Sequence, residues 1–216
     1  MSIKSKVLAV AATMTLVGGV SAIGLPPADA ATPSCGDCFT LFSQEYGPAF
    51  VLDVLRQGEK AGQPIILFRA SNTDPAEDFT ILDLAAVSSY YAAGLVSEAL
   101  DKNYGTRVGF EYEYSPYGVV SGLCMGVGST AGDGTPVALE QCGQSGQTVW
   151  VAVPDGSIGA AVINGSDTNF ADPYVLNYPA NGYPTDLPRP QLNTYPLQQY
   201  ADGTVYDNER WGAPSG

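Results

Sequence analysis

Short apolar alternations, broken by turn residues, run through most of the chain. Candidate strands lie at residues 50–54, 64–68 and 79–82, and the stretches between them, such as 58–62 and 71–75, hold glycine, asparagine, aspartate or proline. These residue types favour turns. Short alternating strands separated by turn signals are typical of an all-β domain.

The strand pattern repeats further along the chain. Apolar anchors recur roughly every dozen residues in two stretches, at Val54, Leu67 and Phe79 and again at Val127, Leu139 and Trp150. A third, looser series runs from a strand at 173–178 to Trp211 and contains a proline-rich connection. The sequence therefore predicts three degenerate four-strand repeats, named copies one, two and three, at about 37–83, 109–153 and 154–212.

One segment breaks the β pattern. The apolar positions there are spaced three or four residues apart, at Leu84, Val87, Tyr91, Leu95 and Ala99. That spacing is helical, and Gly105 is suited to end a helix. We predict one inserted helix over about residues 85–104, which Gly94 weakens by about 1 kcal/mol relative to alanine.

The first thirty residues have the features of an export signal. Lys4 and Lys6 precede an apolar stretch at 7–23, and residues 28–30 have the small-x-small pattern of a cleavage site. A membrane anchor is the alternative, but the apolar stretch is at the lower limit for a span. The sequence predicts a signal peptide at 1–30, one domain at 31–216, secretion, and no membrane span in the mature protein.

The four cysteines suit an oxidising compartment. Cys35 and Cys38 precede the first strand, and Cys124 and Cys142 flank a strand–turn–strand pattern. The simplest pairing joins Cys35 to Cys38 and Cys124 to Cys142. A redox motif is disfavoured because no helical pattern follows Cys38. A structural zinc site is disfavoured because the chain has only one Cys-x-x-Cys pair.

Composition narrows the chemistry. The chain of 216 residues has no histidine, 9 basic and 22 acidic residues, and a formal charge of −13. Without histidine there is no Ser-His-Asp triad, no Cys-His nucleophile pair and no imidazole metal ligand. The negative charge disfavours nucleic acid and anionic membrane surfaces as partners. EF-hand, phosphate-loop and nucleophile-elbow patterns are absent, so we expect no metal, no cofactor and no catalytic residue.

Copy two carries the most specific motif. Strand patterns at 123–127 and 134–142 each contain a cysteine, and Gln147-Thr148-Val149-Trp150 follows them. This arrangement resembles the ricin-B-like lectin family, whose repeats join a cysteine of the second strand to one of the third and end in a Gln-x-Trp signature. The chain resembles a degenerate, secreted, bacterial-type member over about 37–83 and 109–212. The resemblance implies a β-trefoil that binds carbohydrate without catalysis.

The resemblance also implies which residues would contact a sugar. The family's sites use an aspartate ending the second strand, an aromatic ring just past the third, and an amide before the signature tryptophan. Copy one has Asp53, Phe68 and, where the amide is expected, Glu77. A carboxylate accepts hydrogen bonds from hydroxyls, and a ring packs on the C–H face of a sugar. Asp53 as a turn carboxylate and Phe68 as a core residue are the alternatives.

The other two copies keep less of that pattern. Copy two has Gly126 for the aspartate and Glu140 for the ring, so its site is expected to be inactive. Copy three offers Asn177 and Asn208 as further candidate carbohydrate-binding residues, with Gln198 at the expected position of the ring.

Three functions follow from these patterns. The first is a secreted carbohydrate-binding module, whose partner would be a carbohydrate or cell-surface polysaccharide. The second is a non-lectin β-trefoil that acts as an extracellular scaffold or protein-interaction domain, favoured by the eroded amide positions and the tyrosine-rich copy three. The third, an acid-based glycoside hydrolase, needs a spaced carboxylate pair that no spacing marks. Asn164-Gly165-Ser166 also matches a glycosylation sequon.

Overall fold

The described part of the chain contains twelve strands and two α-helices, together with short 3-10 turns. The computed structural model describes residues 35, 38–71, 73–144, 146–154, 159–179 and 189–212. The signal peptide predicted at 1–30 lies outside these residues. Among the described helices, none has the length and apolar character needed to cross a membrane. The elements are β1 (Phe42–Ser43), β2 (Phe50–Val54), β3 (Ile65–Arg69), β4 (Phe79–Ala86), α1 (Val87–Ala92), α2 (Glu98–Tyr104), β5 (Val108–Tyr114), β6 (Leu123–Val127), β7 (Val137–Gln141), β8 (Trp150–Pro154), β9 (Ala160–Asn164), β10 (Tyr174–Asn177), β11 (Asn193–Pro196) and β12 (Arg210–Gly212).

Six of these strands form a barrel and the other six form three hairpins. Antiparallel ladders connect β4, β5, β8, β9, β12 and β1 in that order. A bridge between Phe39 and Phe79 leads from the chain just before β1 back to β4. The hairpins are β2–β3, β6–β7 and β10–β11. Each copy thus contributes two barrel strands and one hairpin, which confirms the predicted all-β, β-trefoil fold class.

The three hairpins meet through backbone hydrogen bonds. The N–H of Leu192 donates to the carbonyl of Ile65 at 2.9 Å, and the N–H of Val137 donates to the carbonyl of Leu192 at 2.8 Å. The third strand of copy three, β11, therefore begins next to Leu192. This junction brings copy three against the hairpin of copy one.

Two buried tryptophans mark equivalent places in copies two and three. The indole N–H of Trp150 donates to the carbonyl of Met125, and that of Trp211 donates to the carbonyl of Leu176, both at 2.9 Å. Phe79 is the corresponding buried ring of copy one and has no N–H to donate. The three rings lie in one core cluster, so a shared core holds the three copies together.

The inserted helix is not continuous, and it begins later than predicted. Strand β4 runs to Ala86, and two short helices follow. Gly94, at a φ of 75°, ends the first helix, and Leu95 N–H closes the turn onto the carbonyl of Tyr90 at 2.9 Å. The hydroxyl of Ser97 then caps the second helix by accepting from Leu100 N–H at 3.0 Å.

The buried face of these helices also differs from the predicted apolar stripe. Val87, Tyr90, Val96 and Leu100 are buried and pack on the outside of the barrel, whereas Leu84 is 62% exposed. The buried positions are Val87 and Tyr90 in the first helix and Leu100 in the second, so a single helical periodicity does not describe both.

Disulfides tie both pairs of cysteines as predicted. Cys124 in β6 and Cys142 just after β7 are joined with their Cα atoms 4.9 Å apart. Cys35 and Cys38 are joined with their Cα atoms 5.2 Å apart. Because the thiols of both pairs are in disulfides, they are not available as metal ligands.

Candidate functional site

The hairpin of copy one places Asp53 and Phe68 on the same face. Asp53 pairs with Ile66 and Val51 pairs with Phe68 across the β2–β3 ladder. Side chains alternate between faces along a strand, and Leu52 and its neighbours on the opposite face enter the core. Asp53 and Phe68 therefore both project away from the barrel core, as diagonal neighbours.

A loop and 3-10 turn between β3 and β4 bring two more acids to this face. Asp74 caps the turn at Pro75–Glu77, and its Oδ1 accepts from Ala76 N–H and from the side-chain amide of Gln57, both at 3.0 Å. Glu77 is buried, and both of its oxygens lie 2.9 Å from the Ser71 N–H. One carboxylate oxygen from each of Asp53, Asp74 and Glu77 lies within 4.8 Å of the others.

These residues surround an open cavity of about 560 Å³. Its lining residues, drawn from the hairpin of copy one, the turn before β4 and the connection of copy three, are Asp53, Leu55, Arg56, Gln57, Phe68, Asp74, Ala76 and Arg189. Arg56 and Gln57 have left-handed backbones, at φ of 58° and 55°, each costing about 1–2 kcal/mol. The turn between β2 and β3 thus holds strained polar residues at the rim of the cavity.

Asp53 lies at the wall of this cavity without a hydrogen-bond donor. It is only 4% exposed, and none of the described residues donates a hydrogen bond to its carboxylate. The pKa of Asp53 is raised to about 7, mainly by burial and also by the charge of Asp74, against the lowering effect of the charge of Arg189. A buried acceptor with no protein donor is costly unless a ligand, water or proton occupies it.

Glu77 lies behind the wall rather than on it. Burial raises the pKa of Glu77 to about 8, against the lowering effect of the hydrogen bond from Ser71, and the neighbouring charges of Asp53 and Asp74 raise it as well. Glu77 supports the cavity wall, and the structure does not place it among the lining residues.

The side chain of Arg189 limits how the ring of Phe68 can contact a ligand. The guanidinium carbon of Arg189 lies 3.8 Å from the centroid of the Phe68 ring, a cation–π contact. One face of the ring is therefore covered by a cation, and the Nε of Arg189 has no partner among the described residues. The cavity consequently has a cation beside the ring and an acceptor at Asp53.

Copy three brings its two predicted asparagines together. The amide of Asn208 donates to Asn177 Oδ1 at 2.9 Å, and the amide of Asn177 donates to Asn193 Oδ1 at 2.7 Å. Val175 pairs with Tyr195 as Val51 pairs with Phe68. The ring position of copy three is therefore Tyr195, which corrects the expectation of Gln198, and its amides are engaged with one another.

Copy two has no room for a carboxylate. Gly126 occupies the register position of Asp53, and a Cβ there would lie 2.9 Å from a methyl of Thr148 and 3.0 Å from the carbonyl of Gln147. Even an alanine would collide with these atoms. The expectation of an inactive second site agrees with this packing.

The glycosylation sequon is not accessible. Asn164 is fully buried, its amide donates to the carbonyl of Gln147 at 3.0 Å, and its Oδ1 accepts from the Ser166 N–H at 3.0 Å. The asparagine therefore stabilises a turn.

Sequence reasoning missed the other polar lining residues. Asp74 stands before Pro75, which is a recognisable turn-capping signal, and Gln57 follows the second strand. Arg189 had no local signal, because it comes from the proline-rich connection of copy three.

Comparison with known proteins supports the fold. No protein-family profile matches the chain. No curated protein sequence matches it. Among solved structures, the designed 3-fold symmetric protein ThreeFoil is 14% identical, with a TM-score of 0.57 over 83% of this chain and 99% of its own. An exo-β-1,3-galactanase from Clostridium thermocellum is 12% identical, with a TM-score of 0.55 over 84% of this chain and 31% of its own. The β-trefoil lectin of the Vibrio vulnificus hemolysin/cytolysin, with N-acetyl-D-lactosamine bound, is 17% identical, with a TM-score of 0.47 over 82% of this chain and 93% of its own.

Proposed function

We propose that this protein is a secreted, degenerate ricin-B-like module that binds carbohydrate, without catalysis, in the cavity of copy one. The observation that carries the proposal is the Asp53 carboxylate, which is buried, borders the cavity and has no donor among the described residues. Sugar hydroxyls are donors of the kind that such an acceptor lacks.

The remaining lining residues suit the rest of a sugar. Gln57 carries an amide at the rim, and Arg189 presents donors beside the half-buried ring of Phe68. A pyranose presents hydroxyls at its edge and C–H groups on its faces, so it can use polar groups and ring together. The guanidinium covers one face of the ring, which leaves the ring edge and the other face for apolar contact.

The arrangement of the acids favours binding over hydrolysis. Glycosidases place two carboxyl groups on opposite sides of the scissile bond, about 5–5.5 Å or about 6.5–9.5 Å apart. The acids here converge on one another within 4.8 Å. This convergence of oxygens suits a shared occupant better than attack from two sides of a bond.

A glycan-retention experiment tests the proposal. The mature protein is applied to a panel of polysaccharides that includes β-1,3-galactan, the substrate named for the structurally similar galactanase. Asp53→Asn keeps the shape and removes the charge, and we expect it to weaken retention by about 10- to 100-fold. Asp172→Asn, which changes an exposed acid outside the cavity lining, is the matched control.

Two results would refute the proposal. One is the absence of retention on any glycan by folded wild-type protein. The other is equal retention of wild type and Asp53→Asn on a glycan that both bind.

A protein-interaction role is the second candidate, and an exposed apolar loop favours it. Tyr117, Val119 and Val120, between β5 and β6, are 65–70% exposed. Adjacent exposed apolar residues are characteristic of contact surfaces. Replacing both valines with threonine should abolish chemical cross-linking to a partner from culture supernatant, while glycan retention through copy one stays unchanged. Cross-linking that persists in the variant would count against this role.

A further inference from the structure

The acids around Asp53 form a constellation that the expectation of no metal did not consider. That expectation came from the lack of histidine and of a contiguous EF-hand loop. Asp53 comes from β2, whereas Asp74 and Glu77 come from the turn before β4. Their converging oxygens are brought together by the fold and not by a linear motif.

The constellation has the donor chemistry of a hard cation. Its three ligand atoms are carboxylate oxygens within 4.8 Å of one another. Ca²⁺ binds oxygens at about 2.3–2.6 Å, so two ligands on opposite sides of the ion lie about 4.6–5.2 Å apart. Nitrogen and sulfur ligands, which zinc prefers, are absent from this constellation.

Asp53 supplies a second observation that points to an occupant. Only 4% of Asp53 is exposed. Its carboxylate borders the cavity and has no hydrogen-bond donor among the described residues. None of the described basic groups lies within 4 Å of any of the three acids. The ion pairs among the described residues are elsewhere, at Glu98–Lys102 and Asp207–Arg210. Of the two arginines that line the cavity, Arg56 and Arg189, Arg189 is held on the Phe68 ring.

The other two acids are held in place but keep free coordination sites. Asp74 uses Oδ1 for Ala76 and Gln57, and none of the described groups bonds to its Oδ2. Glu77 receives a single N–H, that of Ser71, between its two oxygens. Such hydrogen bonds orient carboxylates without saturating their lone pairs.

We propose that Asp53, Asp74 and Glu77 bind a Ca²⁺ ion at the base of the copy-one cavity, and that sugar hydroxyls complete its coordination. Three protein ligands leave positions open in a shell of six to eight, on the side where the cavity reaches solvent. The site would be weak, in the range of about 10⁻⁴–10⁻³ M typical of extracellular calcium modules. The statement about sugar rests on the proposed function; the statement about Ca²⁺ does not.

Calcium binding is tested on the mature chain alone, before any glycan is added. Thermal unfolding and titration calorimetry at about pH 8 compare EDTA with CaCl₂ up to about 10 mM, ten times the weak end of the expected range. We expect a saturable heat and a raised Tm for the wild type and for Asp172→Asn. Asp74→Asn keeps a residue that can cap the turn and should lose both responses while its Tm in EDTA stays close to that of the wild type.

Two outcomes would overturn the calcium site. One is no saturable heat in the wild type, and the other is the same heat in Asp74→Asn. If Asp74→Asn fails to fold, Glu77→Gln, which keeps an acceptor for Ser71, replaces it with the same expectation. An equal or stronger response to MgCl₂ would overturn the assignment to Ca²⁺, because Mg²⁺ requires shorter, octahedral coordination.

Glycan retention then separates this inference from the proposed function. Retention that falls at least tenfold in EDTA supports the sugar as a calcium ligand. Retention that EDTA leaves unchanged overturns the coordinating role of sugar and leaves the proposed function standing. Calcium binding without any glycan retention upholds the ion site and refutes the carbohydrate function.

Discussion

At the scale of single residues, this protein buries acids in places where water cannot solvate them fully. Besides the acids of the cavity, Glu209 before β12 is fully buried. One of its oxygens accepts from the Gln198 N–H at 2.6 Å, and the other has no partner among the described residues. Burial raises the pKa of Glu209 to about 7 against the lowering effect of this hydrogen bond. Its protonation must therefore affect stability.

The sign of that effect follows from the raised pKa. Between the ordinary value of 4.5 and about 7, the folded state binds a proton that the unfolded state has released, so stability falls as pH rises through this range. The loss is complete above about pH 7 and amounts to roughly 3 kcal/mol.

Glu209→Gln should remove this dependence. Because glutamine does not ionise, the stability of the variant relative to the wild type should rise by roughly 3 kcal/mol between pH 4.5 and pH 8. Urea unfolding of both proteins at the two pH values measures it, and the other acids cancel in the difference. A difference that is constant with pH would show that the pKa of Glu209 is the same in the folded and unfolded states.

The resemblance to a lectin family named Asp53 and Phe68, and the strand register places both in the lining of one cavity. Their contact with a sugar stays a prediction. The guanidinium on Phe68 was not foreseeable, because Arg189 is distant in sequence and its connection carries no periodic pattern. Tyr195 was missed because the proline-rich connection hid where the strand begins.

At the scale of elements, one glycine divides the predicted helix. The sum of helix propensities across 85–104 treats Gly94 as a modest cost, but its left-handed φ of 75° makes it a terminator. The spacing of apolar residues indicates a helical segment, but it does not indicate where one helix ends and another begins. The existence of the helical segment was therefore predictable, and its division was not.

Gly94→Ala should destabilise the fold through its backbone alone. A Cβ at this position would meet nothing within 4 Å, so the expected loss of about 1–2 kcal/mol comes from left-handed strain. Denaturant unfolding measures it. Gly132→Ala, whose φ is not left-handed and whose nearest contact would be 3.4 Å, is the control and should change stability by less than about 0.5 kcal/mol.

The tryptophan hydrogen bonds are the second feature at this scale. Trp150→Phe should cost about 2–4 kcal/mol, since it leaves the Met125 carbonyl without its donor and removes buried volume. Trp211→Phe, which breaks the equivalent bond to Leu176, should cost a similar amount. Thermal or denaturant unfolding compares the two, and a cost near zero in either would mean that the core adapts to phenylalanine as it has at Phe79.

At the scale of the whole molecule, the repeat pattern was the part of the fold most accessible to sequence. Copies one and two were visible because their strands are evenly spaced. Copy three could be predicted only at its two ends, because the connection between its second and third strands is long. The meeting of Leu192 with Ile65 and Val137 depends on packing between copies, which no single copy encodes.

The barrel is completed by its final strand. β12 pairs with both β1 and β9, and Trp211 within it is part of the shared core. A chain that ends at Glu209 should therefore fail to fold cooperatively, whereas one that ends at Gly212 should unfold with the same Tm as residues 31–216. Circular dichroism during heating distinguishes them, and a cooperative transition in the shorter chain would contradict this role of β12.

The pairing of β1 with β12 also sets the order of events when the protein is made. Phe42 pairs with Val51 of the neighbouring strand β2 on one side and with Gly212 of β12 on the other, so one edge of β1 stays unpaired until β12 has been made. Contacts between such distant positions make folding slow.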